Sequence, residues 1–320
     1  MKLIKKYKII IIFVLIFIIF NIPLPYYVDA PGGIENVNKN IKISGYDSKG
    51  SLNIVYVKEF NTNIPMILYS LLRKDYDIIK KTDVVLETES INDYEKRDKL
   101  LMDESISNAI YVAYTKANKK IEILDNKIYV LYNENKYSDL KVLDEIISIN
   151  NDKVTSKEDI EKILKDTNEN VKIQVINNKK KYVRNVKLTN DKKLGILISN
   201  IKKYNMEPNI KIDKDNNQSG PSGGLMIALY IYNKLTKDDI TKGKKIVGTG
   251  TIETDGTVGE IGGVKYKLKS AVKSKADLFL VPQGDNCKEV NKLIKKEGYN
   301  IKIKCVSTFD EVLGYLRSAN

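Results

Sequence analysis

The chain lacks histidine altogether and carries two cysteines in 320 residues. Without His, a nucleophilic serine cannot use an imidazole base, and two Cys alone cannot build a conventional zinc site. No G-x-x-x-x-G-K-[ST] segment occurs, so there is no recognisable ATP-binding loop. Arginine is scarce. The formal charge of +13 comes from lysines scattered among Asn, Ile and Tyr, and guanidinium forks, the better readers of phosphates and bases, are few. A nucleic-acid partner is therefore not expected. Tracts such as Asn178-Lys179-Lys180-Lys181 read as solvated hairpin tips. Proline and glycine are limited to 7 and 18 residues, while 42% of the chain is apolar. That composition belongs to a folded chain with room for two or three domains.

What is present begins with Lys2, Lys5, Lys6 and Lys8 ahead of an apolar run, Ile9 to Phe20, which Ile22-Pro23-Leu24-Pro25 extends. Val28-Asp29-Ala30 resembles a signal-peptidase site, but Pro31 follows the cut. The reading is an uncleaved N-terminal transmembrane helix over residues 1–25, basic end in the cytoplasm and the rest outside the cell. Residues 26–118 read as a small mixed α/β membrane-proximal region with a linking helix. Strands alternate at Ile41–Ile43 and Leu52–Phe60, helical spacing runs over Ile64–Lys74, and Ser90 caps a long helix carrying Leu100, Leu101, Ile106, Ile110 and Ala113. In residues 119–190 a strand at Lys127–Tyr132, a helix at Ser156–Lys165 and strands at Val171–Ile176 and Tyr182–Leu188 follow one another.

The chemistry is concentrated in residues 191–320. Gly220-Pro221-Ser222-Gly223-Gly224 opens an apolar helix, and a serine on such a turn lies close to amides with no intrahelical acceptor, the raw material of an oxyanion hole. Ile246–Ile252 reads as a strand, and a helix begins near Val264 after Gly262-Gly263. With no histidine available, a lysine desolvated among apolar groups is the natural base. Lys265 and Lys267 cannot both face Ser222, being two apart on a helix. Lys267 shares the inward face with Val264, Leu268 and Ala271, which leaves Lys265 and Lys269 outside. Taken singly, Ser222 reads as a helix cap and Lys267 as a solvated surface lysine; it is their combination that points to a Ser-Lys dyad.

Two resemblances sharpen this. The segment Leu140–Val154 resembles the GL-x-x-GD-x-I-x-x-IN stretch of PDZ domains, with Leu143 where that family usually has Gly; the resemblance implies a peptide-end binding module. Gly220-Pro221-Ser222-Gly223-Gly224, Thr249-Gly250 with Ile252, and Gly262-Gly263-Val264-Lys265-Tyr266-Lys267-Leu268 resemble the GPSAG, TGEI and GGLKEKL motifs of Lon peptidases, Gly223 replacing the usual Ala. The whole arrangement resembles membrane-anchored PDZ-Lon proteases of Gram-positive bacteria, which lack an ATPase module. It implies an α+β chain with a C-terminal Lon-type proteolytic domain, an ATP-independent serine endopeptidase that cuts extracytoplasmic peptides or unfolded segments. By resemblance Ser222 is the nucleophile, Lys267 the base and Thr249 its orienting partner, with Gly220, Pro221 and Gly223 shaping the oxyanion site. No cofactor or metal is expected, and Lon-type domains tend to assemble as homo-oligomeric rings. The alternative is a surface-displayed PDZ protein on an inactive Lon-like scaffold. Cys287 and Cys305 are left as either a disulfide or two buried thiols.

Overall fold

The computed structural model describes residues 2–167, 169–213 and 220–318, the side chains of residues 2–6 excepted. Helix α1 (Lys2–Asn21) leads into β1 (Tyr26–Asn36), β2 (Ile41–Ile43), β3 (Ser51–Asn61), α2 (Ile64–Leu71), β4 (Asp77–Lys80) and the long α3 (Ile91–Lys116). The middle of the chain forms β5 (Ile121–Asn133), β6 (Glu145–Ile149), β7 (Asp152–Lys153), α4 (Lys157–Lys165), β8 (Asn170–Asn177), β9 (Lys180–Lys187), β10 (Ile196–Met206) and β11 (Ile210–Ile212). The last part runs through α5 (Gly224–Leu235), β12 (Lys245–Gly248), β13 (Thr251–Ile252), β14 (Val258–Gly259), α6 (Val264–Lys273), β15 (Leu278–Pro282), α7 (Asp285–Glu297), β16 (Ile303–Val306) and α8 (Phe309–Ser318).

The structure does not bear out the expected transmembrane anchor. Among the described residues no helix is long and apolar enough to cross a membrane. The reason is length. Helix α1 stops at Asn21, whose side chain turns back to the Phe17 carbonyl at 2.8 Å, so Ile22–Pro25 add nothing to it. Its opening turns carry the four lysines, and the apolar part, Ile9–Phe20, amounts to roughly 18 Å of helix against a hydrocarbon core of about 30 Å. The single-pass placement with domains outside the cell, which rested on that span, loses its support with it.

One sheet has the order β16-β15-β12-β3-β1-β4. Its strands β3, β12, β15 and β16 are parallel, and β1 runs antiparallel to both β3 and β4. Residues 26–118 and 191–320, separate in the sequence reading, contribute strands to this same sheet. Period-two alternation divides its side chains between two layers. Ile246, Leu278 and Leu280 pack against α5, α3 and α8 through Met226, Leu229, Ile231, Ile110 and Phe309. Their neighbours Val247, Phe279 and Val281 pack against α6 and α7 through Val264, Leu268 and Val290. Strand β15 is buried on both faces, and its unbroken apolar sequence is what a central parallel strand requires.

The second sheet has the path β10-β5-β6-β8-β9, with β7 paired to β6, over a core of Ile128, Val130, Ile146, Ile149, Ile173 and Val175. Helix α4 closes it with Ile160 and Leu164 and starts on a capping box between Ser156 and Asp159. Leu143 adopts φ 71°, the left-handed region that glycine prefers. Strand β11 pairs with β2 in a separate two-stranded sheet, so the chain leaving the second large sheet comes back beside the segment between β1 and β3.

Candidate active site

Pro221 opens a short 3₁₀ turn over Pro221–Gly223, and its fixed φ and missing N–H suit that place. The turn runs directly into α5, whose residues from Gly224 to Leu229 are buried. Gly223 occupies the cap position and no side chain caps the helix, so Ser222 is not spent as an N-cap. Gly220 precedes the turn and donates its N–H to the Asp98 carbonyl at 3.3 Å. At Gly223, where the Lon motif has Ala, an added Cβ would stand 3.1 Å from Ile54 Cδ1, tighter than ordinary contact.

The expected strand over Ile246–Ile252 is interrupted. Strand β12 ends at Gly248 and β13 begins at Thr251, because the intervening amides serve other partners. The Thr249 N–H donates to Leu280 O at 3.1 Å, and the Gly250 N–H donates to Ser222 O at 2.8 Å. Thr249 is fully buried, and its Oγ1 also donates to Ser222 O at 3.0 Å. The break in the strand is therefore what ties it to the serine turn.

Helix α6 starts on Gly263 in the left-handed region, φ 67°. An added Cβ there would meet Val57 Cγ2 at 2.8 Å, so both backbone and space call for glycine. From that start the helix turns Val264, Lys267, Leu268 and Ala271 inward. Lys267 is 4% exposed, and its Nζ donates to Thr249 Oγ1 at 3.2 Å. Among the described residues no carboxylate pairs with it. Burial lowers its amine to about 8, within reach of a neutral base near physiological pH. Lys265 and Lys269 point outward to Asp77 and Asp75.

Thr249 thus joins the two candidate groups, taking a hydrogen bond from Lys267 and giving one to the carbonyl of Ser222. Ser222, Gly223 and Gly224 line a cavity of about 560 Å³, with Ile54, Tyr56 and Glu59 of β3 on another side. Sequence reasoning missed this wall, since β3 lies far upstream. It also missed Ser105 and Asn108 of α3, buried at 6% and 7% exposure. Ser105 Oγ donates to Pro221 O at 2.8 Å and Asn108 Nδ2 to Ile252 O at 3.1 Å. Their signal was polar residues at positions that continue the apolar stripe of Ile106 and Ile110. Cys287 of α7 and Cys305 of β16 are joined as a disulfide, Cα atoms 5.7 Å apart.

The family model for the Lon protease (S16) C-terminal proteolytic domain matches residues 206–317. Lon protease 2 of Bacillus subtilis is 36% identical over 94 residues, 29% of this chain and 16% of that protein. Lon protease 2 of Borreliella burgdorferi is 32% identical over 99 residues, covering 31% of this chain and 12% of its own length. Lon protease of Haemophilus influenzae is 32% identical over 98 residues, again 31% and 12%. The chain thus spans a small part of the relatives it matches. The matched region contains Ser222, Thr249 and Lys267.

Proposed function

We propose that this protein is a serine endopeptidase in which Ser222 is the nucleophile and Lys267 the general base. The observation that carries the reading is a buried lysine with a lowered pKa and no counter-charge among the described residues, tied through Thr249 to the serine turn. In the first step the neutral Lys267 amine takes the Ser222 Oγ proton as Oγ attacks the peptide carbonyl. The oxyanion that forms is received by amides at the head of the turn, which have no intrahelical acceptor. Lys267, now an ammonium, returns the proton to the leaving amine, and an acyl-Ser222 ester remains. Water, deprotonated by the same amine, then releases the acid.

The substrate reading is an extended peptide or unfolded segment. Strand β3 pairs with β12 only over Ser51–Ile54, and Val55–Glu59 line the cavity beside Ser222. That stretch offers an unfilled strand edge to an incoming chain. With no nucleotide-binding motif in the sequence, the reading is ATP-independent cleavage of chains that arrive already extended. Residues 119–190 are read as a PDZ-like module that presents peptide ends to this cavity, and assembly with copies of the same chain is part of the proposal.

The test is cleavage of a fluorescently labelled, unfolded casein by the purified protein, paired with labelling by a fluorophosphonate. Ser222→Ala should lose both while unfolding at the wild-type temperature, because Ser222 caps nothing. Cleavage by Ser222→Ala near the wild-type rate would overturn the assignment.

A further inference from the structure

We infer that Ser105, on α3 and outside the matched region, is a positioning residue that sets the direction of the Ser222 amide in the oxyanion site. The inference rests on the peptidase reading above. Its starting point is the planarity of the peptide unit: in a trans peptide the carbonyl and the following N–H point to opposite sides of the chain. Whatever grips the Pro221 carbonyl therefore aims the Ser222 N–H.

Two donors grip it. Ser105 Oγ donates to Pro221 O at 2.8 Å, and the Gly224 N–H bonds to the same oxygen. The next peptide unit is held from another element, as Ser222 O accepts from Gly250 N at 2.8 Å and Thr249 Oγ1 at 3.0 Å. Both planes flanking the nucleophile are thus pinned, one by α3 and one by the segment that also holds Lys267. The first of these donors is a side chain far upstream in sequence.

The close approach of α3 is built into the packing. A Cβ at Gly224 would lie 2.4 Å from Ser105 Oγ and 2.8 Å from Ile252 Cγ2. Glycine at the first position of α5 is what lets the hydroxyl reach the turn. One helical turn further along α3, Asn108 donates to Ile252 O, fixing the helix against β13 without touching the serine turn. The two side chains form a natural pair: Asn108 holds the helix, and Ser105 orients the peptide.

An amide aimed at the oxyanion helps only as charge develops on the substrate oxygen, so its misdirection lowers kcat and leaves KM nearly unchanged. Ser105→Ala in the full chain should reduce kcat by about tenfold or more. It should weaken binding of a peptide boronate, which mimics the tetrahedral state, by a similar factor. The pH midpoint set by Lys267 should not move, since the base is untouched. Asn108→Ala should lower the unfolding temperature with a much smaller loss of kcat. Ser105→Thr, which keeps the hydroxyl, should recover most of the rate. Wild-type kcat in Ser105→Ala overturns the inference. So does an equal loss of kcat in Asn108→Ala and Ser105→Ala at equal unfolding temperature, or failure of Ser105→Thr to exceed Ser105→Ala. Absence of Ser222-dependent fluorophosphonate labelling in the wild type would instead count against the peptidase reading itself.

Discussion

Each of the two large sheets buries a charged side chain, and the two are treated in opposite ways. In the second sheet Asp144 is completely inaccessible. Arg184 grips it in a fork at 2.9 and 3.0 Å, Asn177 donates at 2.7 Å, and the Lys141 amide donates at 2.9 Å. Beside the first sheet Lys267 is almost equally buried and, among the described residues, has one hydroxyl partner, 3.2 Å away. A buried charge that is fully paired serves the fold. A buried amine without a counter-charge gives up its proton more readily and becomes available to chemistry. The two side chains are about equally buried and differ in their partner sets, and it is that difference on which the proposed role of Lys267 rests.

The comparison can be broken most sharply at Lys267. Lys267→Met should reduce cleavage by about 10³-fold, within the range for loss of a general base, as measured with the unfolded casein substrate. The same variant should be more stable than wild type near pH 7. The folded-state pKa of Lys267, about 8, lies below its unfolded value of 10.5, so the folded form binds fewer protons between those values. Stability is therefore lost as pH falls through that window and stays lower beneath it. Below pH 8 the methionine variant escapes a cost on the order of 3 kcal/mol, readable as a higher unfolding temperature. In the wild type, kcat/KM should rise with pH and level off with a midpoint near 8.

Arg184→Met tests the other half. Removing the fork leaves Asp144 as an uncompensated buried charge, and denaturant unfolding should show a loss of about 3–5 kcal/mol. Fluorophosphonate labelling of Ser222 in the still-folded fraction should be unchanged. If labelling fell in proportion to the stability lost, the division between structural and chemical charges would not hold.

The smallest effect belongs to Lys265, two residues from the proposed base and paired with Asp77 at 41% exposure. Lys265→Ala should change stability by no more than about 1 kcal/mol and cleavage by less than about twofold. A ranking in which Lys265→Ala is the more damaging substitution would reverse the assignment of roles on α6.

Much of the site was legible because its signals are local. The cap at Ser90, which accepts from the Asp93 amide, lies in a single turn of sequence. Strands β8 and β9 fall within a residue or two of their alternation pattern. The acidic partner of the second sheet, Asp144, stands within the stretch Leu140–Val154, but its partner Arg184 comes from another strand and left no local trace. The apolar run after Lys8 misled for a different reason. Hydropathy measures composition, whereas spanning requires a continuous helix, and α1 stops at Asn21 before the prolines.

Local chemistry alone determined the turn at Gly220-Pro221, the helix that follows it, and the inward face of α6 that carries Lys267. Those features follow from backbone restrictions and from a period of about 3.6 residues, which act over a few positions. The tertiary structure decided what no short stretch encodes. It placed β3 beside β12, broke the strand at Thr249 so that Ser222 could be held, joined Cys287 to Cys305, and brought Ser105 to the Pro221 carbonyl. Each of those depends on the packing of segments distant in the chain, where complementary shape and unmet hydrogen bonds choose the partner.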